Sequence, residues 1–251
     1  MCSSNKYPKM TKVRPLVTIL NVGKIKYESG LALQTYLTKH QPNEPHTDFR
    51  NYLVLQEFHP VFTIGIRTKC YTIKDEQRLL KLGADFYRTN RGGLITFHGP
   101  GQLVAYPLLH LKQFNPSMRW YVSTLETMVI KTCREMGLND ATTTKDTGIW
   151  VKDRKICAIG VHGGRYITTH GIGFNCCTDL KWFDYIVPCG IEGKGVTSLS
   201  QELKREVTVE ETSRQLVKTF STVFQCDVQE SPKHVSSDLL KLSLKFCSKN
   251  P

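Results

Sequence analysis

Apolar and polar positions alternate along this chain with two periods, and each change of period marks an element. Residues 16–22 read as a first strand. Over residues 27–40 the apolar Leu33, Tyr36 and Leu37 fall on one helical face, and Pro42, Asn43 and Pro45 then mark a loop. Residues 51–58 are β-rich, and 60–65 and 85–89 are shorter runs of that kind. Between them, residues 75–82 suggest a helix stopped by Gly83. The run 103–109 is apolar throughout, as a buried strand is. The clearest helix spans 117–136. Met118, Val122, Leu125, Val129, Thr132 and Met136 recur there at spacings of three and four, with Ser117 suited to the N-cap and Gly137 to the stop.

Residues 148–153 and 154–162 read as the arms of a hairpin turning at Asp153-Arg154, followed by a strand over 166–175 and a short helix over 178–185. Residues 187–191 read as a turn. Thr208-Val-Glu-Glu211 has capping-box form and opens a helix to about residue 225, with Leu216, Val217, Phe220 and Phe224 on its core face. Strands outnumber helices, helices flank groups of strands, and a regular βαβ alternation is missing. The expected fold class is therefore α+β, with a mixed or antiparallel sheet. The expected organisation is a loose N-terminal tail over 1–14, one domain over 15–227, and a charged C-terminal tail over 228–251 with an amphipathic segment at 239–246.

One stretch breaks the pattern. Arg91-Gly-Gly-Leu-Ile-Thr-Phe-His-Gly-Pro-Gly-Gln102 holds five glycines and prolines in its first eleven residues, immediately before the apolar run. Glycine adds backbone entropy and packs no side chain, so it is useful where a ligand or another backbone must come close. Residues 91–102 thus read as a loop or short strand pair lining a pocket, with Arg91, Thr96, His98 and Gln102 as its polar points. The plain alternative is a glycine-rich hairpin around a satisfied core histidine.

Composition narrows the function. With 251 residues, 40% hydrophobic and 22% charged, the chain forms one sizeable domain with small appendages. No apolar run approaches the ~18 residues of a membrane span, and no Walker loop or dinucleotide fingerprint is present. The net charge of +12 favours an acidic partner. The basic residues are scattered, without zinc-finger spacing or basic blocks interleaved with aromatics, which points away from nucleic acid and towards an acidic protein or a merely solvated surface. Nine cysteines, an odd number without scaffold spacing, fit reduced thiols in a cytosolic or organelle-matrix compartment. Lys6, Lys9, Lys12, Arg14, Lys24 and Lys26 all precede the first acidic residue, Glu28, as in an organelle-targeting start.

Among the cysteines, Cys189 stands apart because Pro188 and Gly190 make a turn able to present a thiol. A thiol with a pKa of ~8.5 is only a few per cent thiolate at neutral pH, so catalytic use requires a base or a nearby cation. Lys155, His98, His162 and His170 are the candidates, and a buried structural thiol is the plain alternative. A metal site built from Cys157, His162, His170, Cys176 and Cys177 is the rival reading, but their spacing matches no metal motif.

Four ordered stretches together resemble the signature of the lipoyl(octanoyl) transferases, octanoyl-acyl-carrier-protein:protein N-octanoyltransferases. They are Arg91-Gly-Gly-x-x-Thr-Phe-His-Gly-Pro-Gly-Gln-x-x-x-Tyr106, Lys155-Ile-Cys-Ala-Ile-Gly160, His170-Gly-Ile-Gly-Phe-Asn175, and Pro188-Cys-Gly-Ile191 followed by Gly195-Val-Thr-Ser-Leu199. The resemblance runs from about residue 16 to 225. Phe97 and Cys177 are small departures from the pattern.

The resemblance implies a mixed β-sheet platform with flanking helices, similar to the catalytic domains of lipoate–protein and biotin–protein ligases. It implies that Cys189 takes octanoyl from the thioester of acyl carrier protein. The acyl group then passes to a lysine of a lipoyl domain, on a 2-oxo-acid dehydrogenase or the glycine-cleavage H protein. It further implies that Lys155 pairs with Cys189, and that Arg91, Gly92, Gly93, Leu94, Ile95, Thr96, Phe97, His98, Ala158, Ile159, Gly160, Gly171, Ile172 and Gly173 form the acyl-binding pocket. Leu94, Phe97, Ile159 and Ile172 are the expected apolar liners of an eight-carbon slot. Because thioester energy drives such a transfer, no ATP, cofactor or metal is expected, and neither nucleic acid nor membrane is an expected partner. The expected compartment is the mitochondrial matrix. The alternatives are an ATP-dependent lipoate–protein ligase of the same fold and a non-catalytic module that binds carrier domains.

Overall fold

The computed structural model describes residues 13–41, 49–68, 71–187 and 194–249. Its strands and helices are β1 (Leu16–Ile25), α1 (Tyr27–Lys39), β2 (Asn51–Phe58), β3 (Val61–Ile64), α2 (Ile73–Leu80), β4 (Asp85–Arg88), β5 (Ile95–His98), β6 (Gln102–Leu108), α3 (Met118–Glu135), β7 (Ala141–Thr142), β8 (Ile149–Val151), β9 (Arg154–Gly164), β10 (Ile167–Asn175), β11 (Gly195–Val196), α4 (Leu199–Leu203), α5 (Val209–Phe224), β12 (Asp227–Glu230) and α6 (Lys233–Lys249), with short 3-10 turns at Leu111–Gln113 and Leu180–Tyr185.

A large mixed sheet runs in the order β12-β1-β2-β6-β10-β9-β8-β7, with β11 added beside β9, and a small sheet runs β4-β3-β5. β1 pairs parallel with both β12 and β2, while β2, β6, β10, β9, β8 and β7 are successively antiparallel. The large sheet is covered on both faces. α3 and α5 pack on one face over Leu103, Ala105, Ile149, Ile172 and Phe174, and α1 and α6 cover Leu20, Val54, Val104 and Tyr106 on the other. This accounts for the unbroken apolar run of β6, since a strand buried on both faces gains nothing from alternation.

Helix ends follow their capping chemistry. Ser117 accepts from the Trp120 N–H to start α3, Gly137 takes φ +95° just beyond its end, and Thr208 accepts from the Glu211 N–H to open α5. α2 begins earlier than its polar pattern predicts, because Thr72 and Asp75 form a capping box there. The hairpin turns at Lys152 and Asp153, with Lys152 at φ +54°.

The C-terminal region differs from the charged tail expected over 228–251. Residues 227–230 extend the large sheet beside β1, and α6 packs against α1 with Leu239 and Leu240 over the core. The amphipathic segment expected at 239–246 lies within α6, whose apolar side docks on the core while its charged side faces solvent. The expected loop around Pro42, Asn43 and Pro45, the turn at Pro188–Ile191 and most of the N-terminal tail, residues 1–12, lie outside the described residues.

Candidate active site

The period of β5 decides which of its side chains reach a ligand. Successive residues point to opposite faces. Thr96 and His98 face a narrow cleft against β9 and β10. Ile95 and Phe97 enter the small core with Phe62 and Phe183, and Phe97 stacks on Trp182 at 5.0 Å. Phe97, an expected slot liner, therefore turns away from the cleft. Ile159 and Ile172 border it, but their side chains belong to the core on the far side of the sheet. Leu94 does line it.

The floor is made of missing side chains. β9 and β10 pair Ala158 with Gly173 and Gly160 with Gly171, which leaves a trough along the strand pair. A Cβ on Gly171 would lie 2.0 Å from the Ala105 carbonyl oxygen, and one on Gly173 would lie 2.9 Å from Gln102 Oε1. The roof is the 91–94 loop. The buried Arg91 guanidinium donates to the Thr63 carbonyl (2.7 Å), Thr63 Oγ1 (2.9 Å), the Leu94 carbonyl (3.0 Å) and the Gly92 carbonyl (3.0 Å), while the Gly92 N–H reaches the Val161 carbonyl of β9 at 2.9 Å. Arg91 thus shapes the loop from within, a task its planar fork of donors suits.

At one end the cleft continues into a smaller space around Lys155, bounded by Thr96, Gln102, Ala158, Gly173, Asn175, Phe183 and Val196. A lysine just after a polar turn is ordinarily solvated, yet Lys155 is only 6% exposed. Among the described residues its ammonium meets no carboxylate and no hydrogen-bond acceptor, and it stands 4.7 Å over the Trp150 ring. An unpaired buried cation is costly and marks a place where a negative charge is wanted.

A directed chain of hydrogen bonds runs beside it. Gln102 Nε2 donates to the Phe97 carbonyl (3.1 Å) and to Asn175 Oδ1 (2.9 Å), and Asn175 Nδ2 donates to the Thr197 carbonyl (2.9 Å). The two carbonyls fix both amide orientations, so Gln102 Oε1 accepts and His98 Nδ1 must be its donor, at 2.6 Å. His98 Nε2 then carries no proton. Burial, aided by the charge of Arg91, lowers the His98 pKa to about 4, so the ring is neutral at physiological pH. His170, at φ +57°, also lines the cleft; its Nε2 contacts Asn90 Oδ1 at 2.8 Å, and burial with Arg91 lowers its pKa to about 3.

None of the described cysteines lines the cleft or the Lys155 space. Burial pushes the thiols of Cys133, Cys176 and Cys226 up to about 12 and raises that of Cys157 well above its ordinary value; Cys177 is exposed, but partial burial and the neighbouring Glu57 and Glu206 raise it too. Cys189 lies outside the described residues. The chain on either side of residues 188–193 is nevertheless placed: Phe183 before and Val196 after both line the Lys155 space, and Val196 pairs directly with Lys155. The rival metal cluster is not assembled, because among the described residues no group of three or more His, Cys, Asp or Glu is poised to hold an ion.

Residues 26–221 match the model of the lipoyl protein ligase A/B catalytic domain. The chain belongs to this family. Among its relatives, the octanoyl-acyl-carrier-protein:protein N-octanoyltransferase, mitochondrial, of Danio rerio is 53% identical over 86% of this chain and 96% of its own length. The Homo sapiens protein of the same name is 42% identical over 87% of this chain and 99% of its own. A crystal structure of lipoate-protein ligase A bound with ATP superposes with a TM-score of 0.70 at 16% identity, covering 91% of this chain and 93% of that one. The mixed sheet with flanking helices is thus the fold of the lipoate–protein ligases.

Every described cleft residue lies within the family match, whereas β12 and α6 lie beyond it. Sequence reading missed Trp150 and Gly148 as parts of the site. The signal was available, because a turn at residues 152–153 places Trp150 directly opposite Lys155. It also missed Asn175, which only the β10–β6 pairing brings opposite Gln102.

Proposed function

We propose that this chain transfers octanoyl from octanoyl-acyl carrier protein to a lysine of lipoyl domains through a thioester on Cys189, with Lys155 as its partner. It is an acyltransferase, it works in the mitochondrion as the relatives named mitochondrial do, and its transfer begins the lipoylation of those domains. One observation carries the mechanism: Lys155 is a buried ammonium without a described counter-ion, in a space whose walls, Phe183 and Val196, flank the segment that holds Cys189.

The ammonium favours the thiolate of Cys189. That sulfur attacks the thioester carbonyl of the donor, the carbon–sulfur bond to pantetheine breaks, and the departing thiolate takes up a proton. The octanoyl chain lies along the trough between β9–β10 and the 91–98 segment, lined by Leu94, Thr96, His98 and Ala158 together with the glycines. In the second step the amine of the acceptor lysine attacks the acyl-enzyme carbonyl, the Cys189 sulfur leaves, and the attacking nitrogen gives up its proton to solvent or to the departing sulfur. Both steps form a tetrahedral oxyanion and gain from donors already in place. The positive net charge suits an acidic carrier and speeds encounter.

The test is the intact mass of the purified chain after mixing with octanoyl-acyl carrier protein, beside a Cys189→Ala variant. One hydroxylamine-labile octanoyl group on the wild type and none on the variant supports the reading. Labelling of both assigns the nucleophile elsewhere. If neither is labelled but octanoate with ATP modifies a lipoyl domain, the chain is a ligase instead.

A further inference from the structure

The hairpin β8–β9 contains an arrangement that the transfer chemistry above leaves unexplained. Trp150 and Lys155 are direct cross-strand partners. Trp150 is among the largest fully buried side chains, at 1% exposure. Its indole N–H donates to the Asp146 carbonyl at 2.9 Å, which fixes the plane of the ring. The Lys155 ammonium lies 4.7 Å over that ring. Gly148, at φ +121°, leaves the space through which the lysine stem runs, because a Cβ there would lie 3.3 Å from Lys155 Cε and 2.7 Å from the Cys157 carbonyl oxygen. A second ammonium, that of Lys194, lies 4.8 Å over the same indole, but it also reaches the Asp146 carboxylate at 3.5 Å. Lys155 has no such anion among the described residues. The ring face is therefore its described electrostatic support.

We infer that Trp150 is the positioning residue of Lys155, its indole face holding the ammonium at the end of the acyl cleft in a channel that Gly148 keeps open. A desolvated cation on an indole is held by the negative face of the ring, an attraction that increases as water is excluded. A carboxylate in the same place would tie up the charge in an ion pair and compete with a thiolate. An aromatic face holds the cation while leaving its charge available to a second anion. Neither a hydrocarbon nor an acid side chain at position 150 would do both. The inference rests on the proposed role of Lys155 in the transfer.

The experiment replaces Trp150 with its mono-, di- and tetrafluoro analogues, which drain the ring face while keeping its shape, and follows octanoyl transfer from octanoyl-acyl carrier protein in single-turnover mode across pH. The expected result is a transfer rate whose logarithm falls steadily with fluorine number, by about tenfold at tetrafluoro-tryptophan. The saturating donor concentration should change little and the pH profile should move. A flat series overturns the inference, since packing alone is indifferent to the ring's charge distribution. Repeating the series on Lys194→Met decides between the two cations: a slope that vanishes there assigns the ring's role to Lys194 and also overturns it. The Lys155 Hε resonances give a readout independent of turnover. The indole ring current should shift them upfield, and Trp150→Leu should remove the shift; resonances at their ordinary position in the wild type overturn the contact itself. If Lys155→Met transfers octanoyl at the wild-type rate while the upfield shift is present, the mechanism proposed for Lys155 fails although its contact with Trp150 stands.

Discussion

His98 and Gln102 share a buried 2.6 Å hydrogen bond whose direction is set by carbonyls that neither residue owns. Because the Phe97 and Thr197 carbonyls can only accept, the amide of Gln102 cannot turn over, and the proton of His98 is held on Nδ1. A side-chain tautomer in the cleft is thus determined by the backbone of two different segments.

Replacing Gln102 by Leu strands the His98 Nδ1–H, Asn175 Oδ1 and one acceptor lone pair of the Phe97 carbonyl. Roughly 2–4 kcal/mol of stability should be lost, the penalty of leaving buried polar groups unpaired, and turnover should fall at least tenfold; thermal unfolding and initial rates check both. Gln102→Glu should instead raise the His98 pKa above about 4, because a carboxylate favours the imidazolium. An NMR titration of the ring that found no rise would refute the coupling.

Acid stability follows from both buried histidines. Each has an unfolded reference of 6.5, against folded values of about 4 for His98 and about 3 for His170. The unfolded chain therefore binds more protons than the folded one as pH drops below 6.5. Stability should decline from there towards about pH 4 through His98, and on towards about pH 3 through His170. At about 1.4 kcal/mol per unit, His98 alone contributes a loss of roughly 3 kcal/mol. His98→Asn should flatten the pH dependence of the urea midpoint between pH 6.5 and 4; an unchanged slope would remove His98 from the account.

Arg91 tests whether the cleft roof needs a planar fork or only a charge. Arg91→Lys keeps the cation but cannot serve carbonyls of Thr63, Gly92 and Leu94 together. A loss of roughly 2–4 kcal/mol is expected from the stranded acceptors. Arg91→Gln should in addition raise the pKa of both His98 and His170, since Arg91 lowers each. Urea titration separates the first effect, and ring NMR the second.

The two trough glycines should fail differently. Gly171→Ala sets a Cβ 2.0 Å from a backbone oxygen of β6, so soluble yield should collapse. Gly173→Ala instead meets the far ends of two side chains, Gln102 Oε1 at 2.9 Å and His98 Nδ1 at 3.2 Å, so it strains their hydrogen bond and not the backbone of a neighbouring strand. That variant should fold and show a raised KM for the octanoyl donor. Equal damage to folding from both substitutions would contradict the assignment of Gly173 to the cleft floor.

Much of this architecture was legible in the residues. The helix at Met118–Glu135 announced itself by spacing and caps, and the strand before it by its unbroken apolar run. The glycine-rich segment marked the cleft, because glycine in such density has few other uses. What the pattern did not yield depended on pairing between distant segments. Phe97 was an expected liner, yet the alternation of β5 turns it away from Thr96 and His98. Asn175 acquires meaning only when β10 lies against β6. The strand β12 is too short and polar to show period, and its partner Leu16 stands near the other end of the sequence.

That last pairing governs the order of assembly. β1 lies between β2 and β12, and its outer edge is covered over Leu16–Ile19 only once Asp227–Glu230 are in place. While the chain is synthesised, or threaded in from its N-terminus, an apolar strand waits with unpaired backbone groups for nearly the whole of the polypeptide to follow. Non-local closure of this kind slows folding and leaves an adhesive edge exposed meanwhile. The interval before β12 arrives is therefore when that edge is most open to non-native pairing.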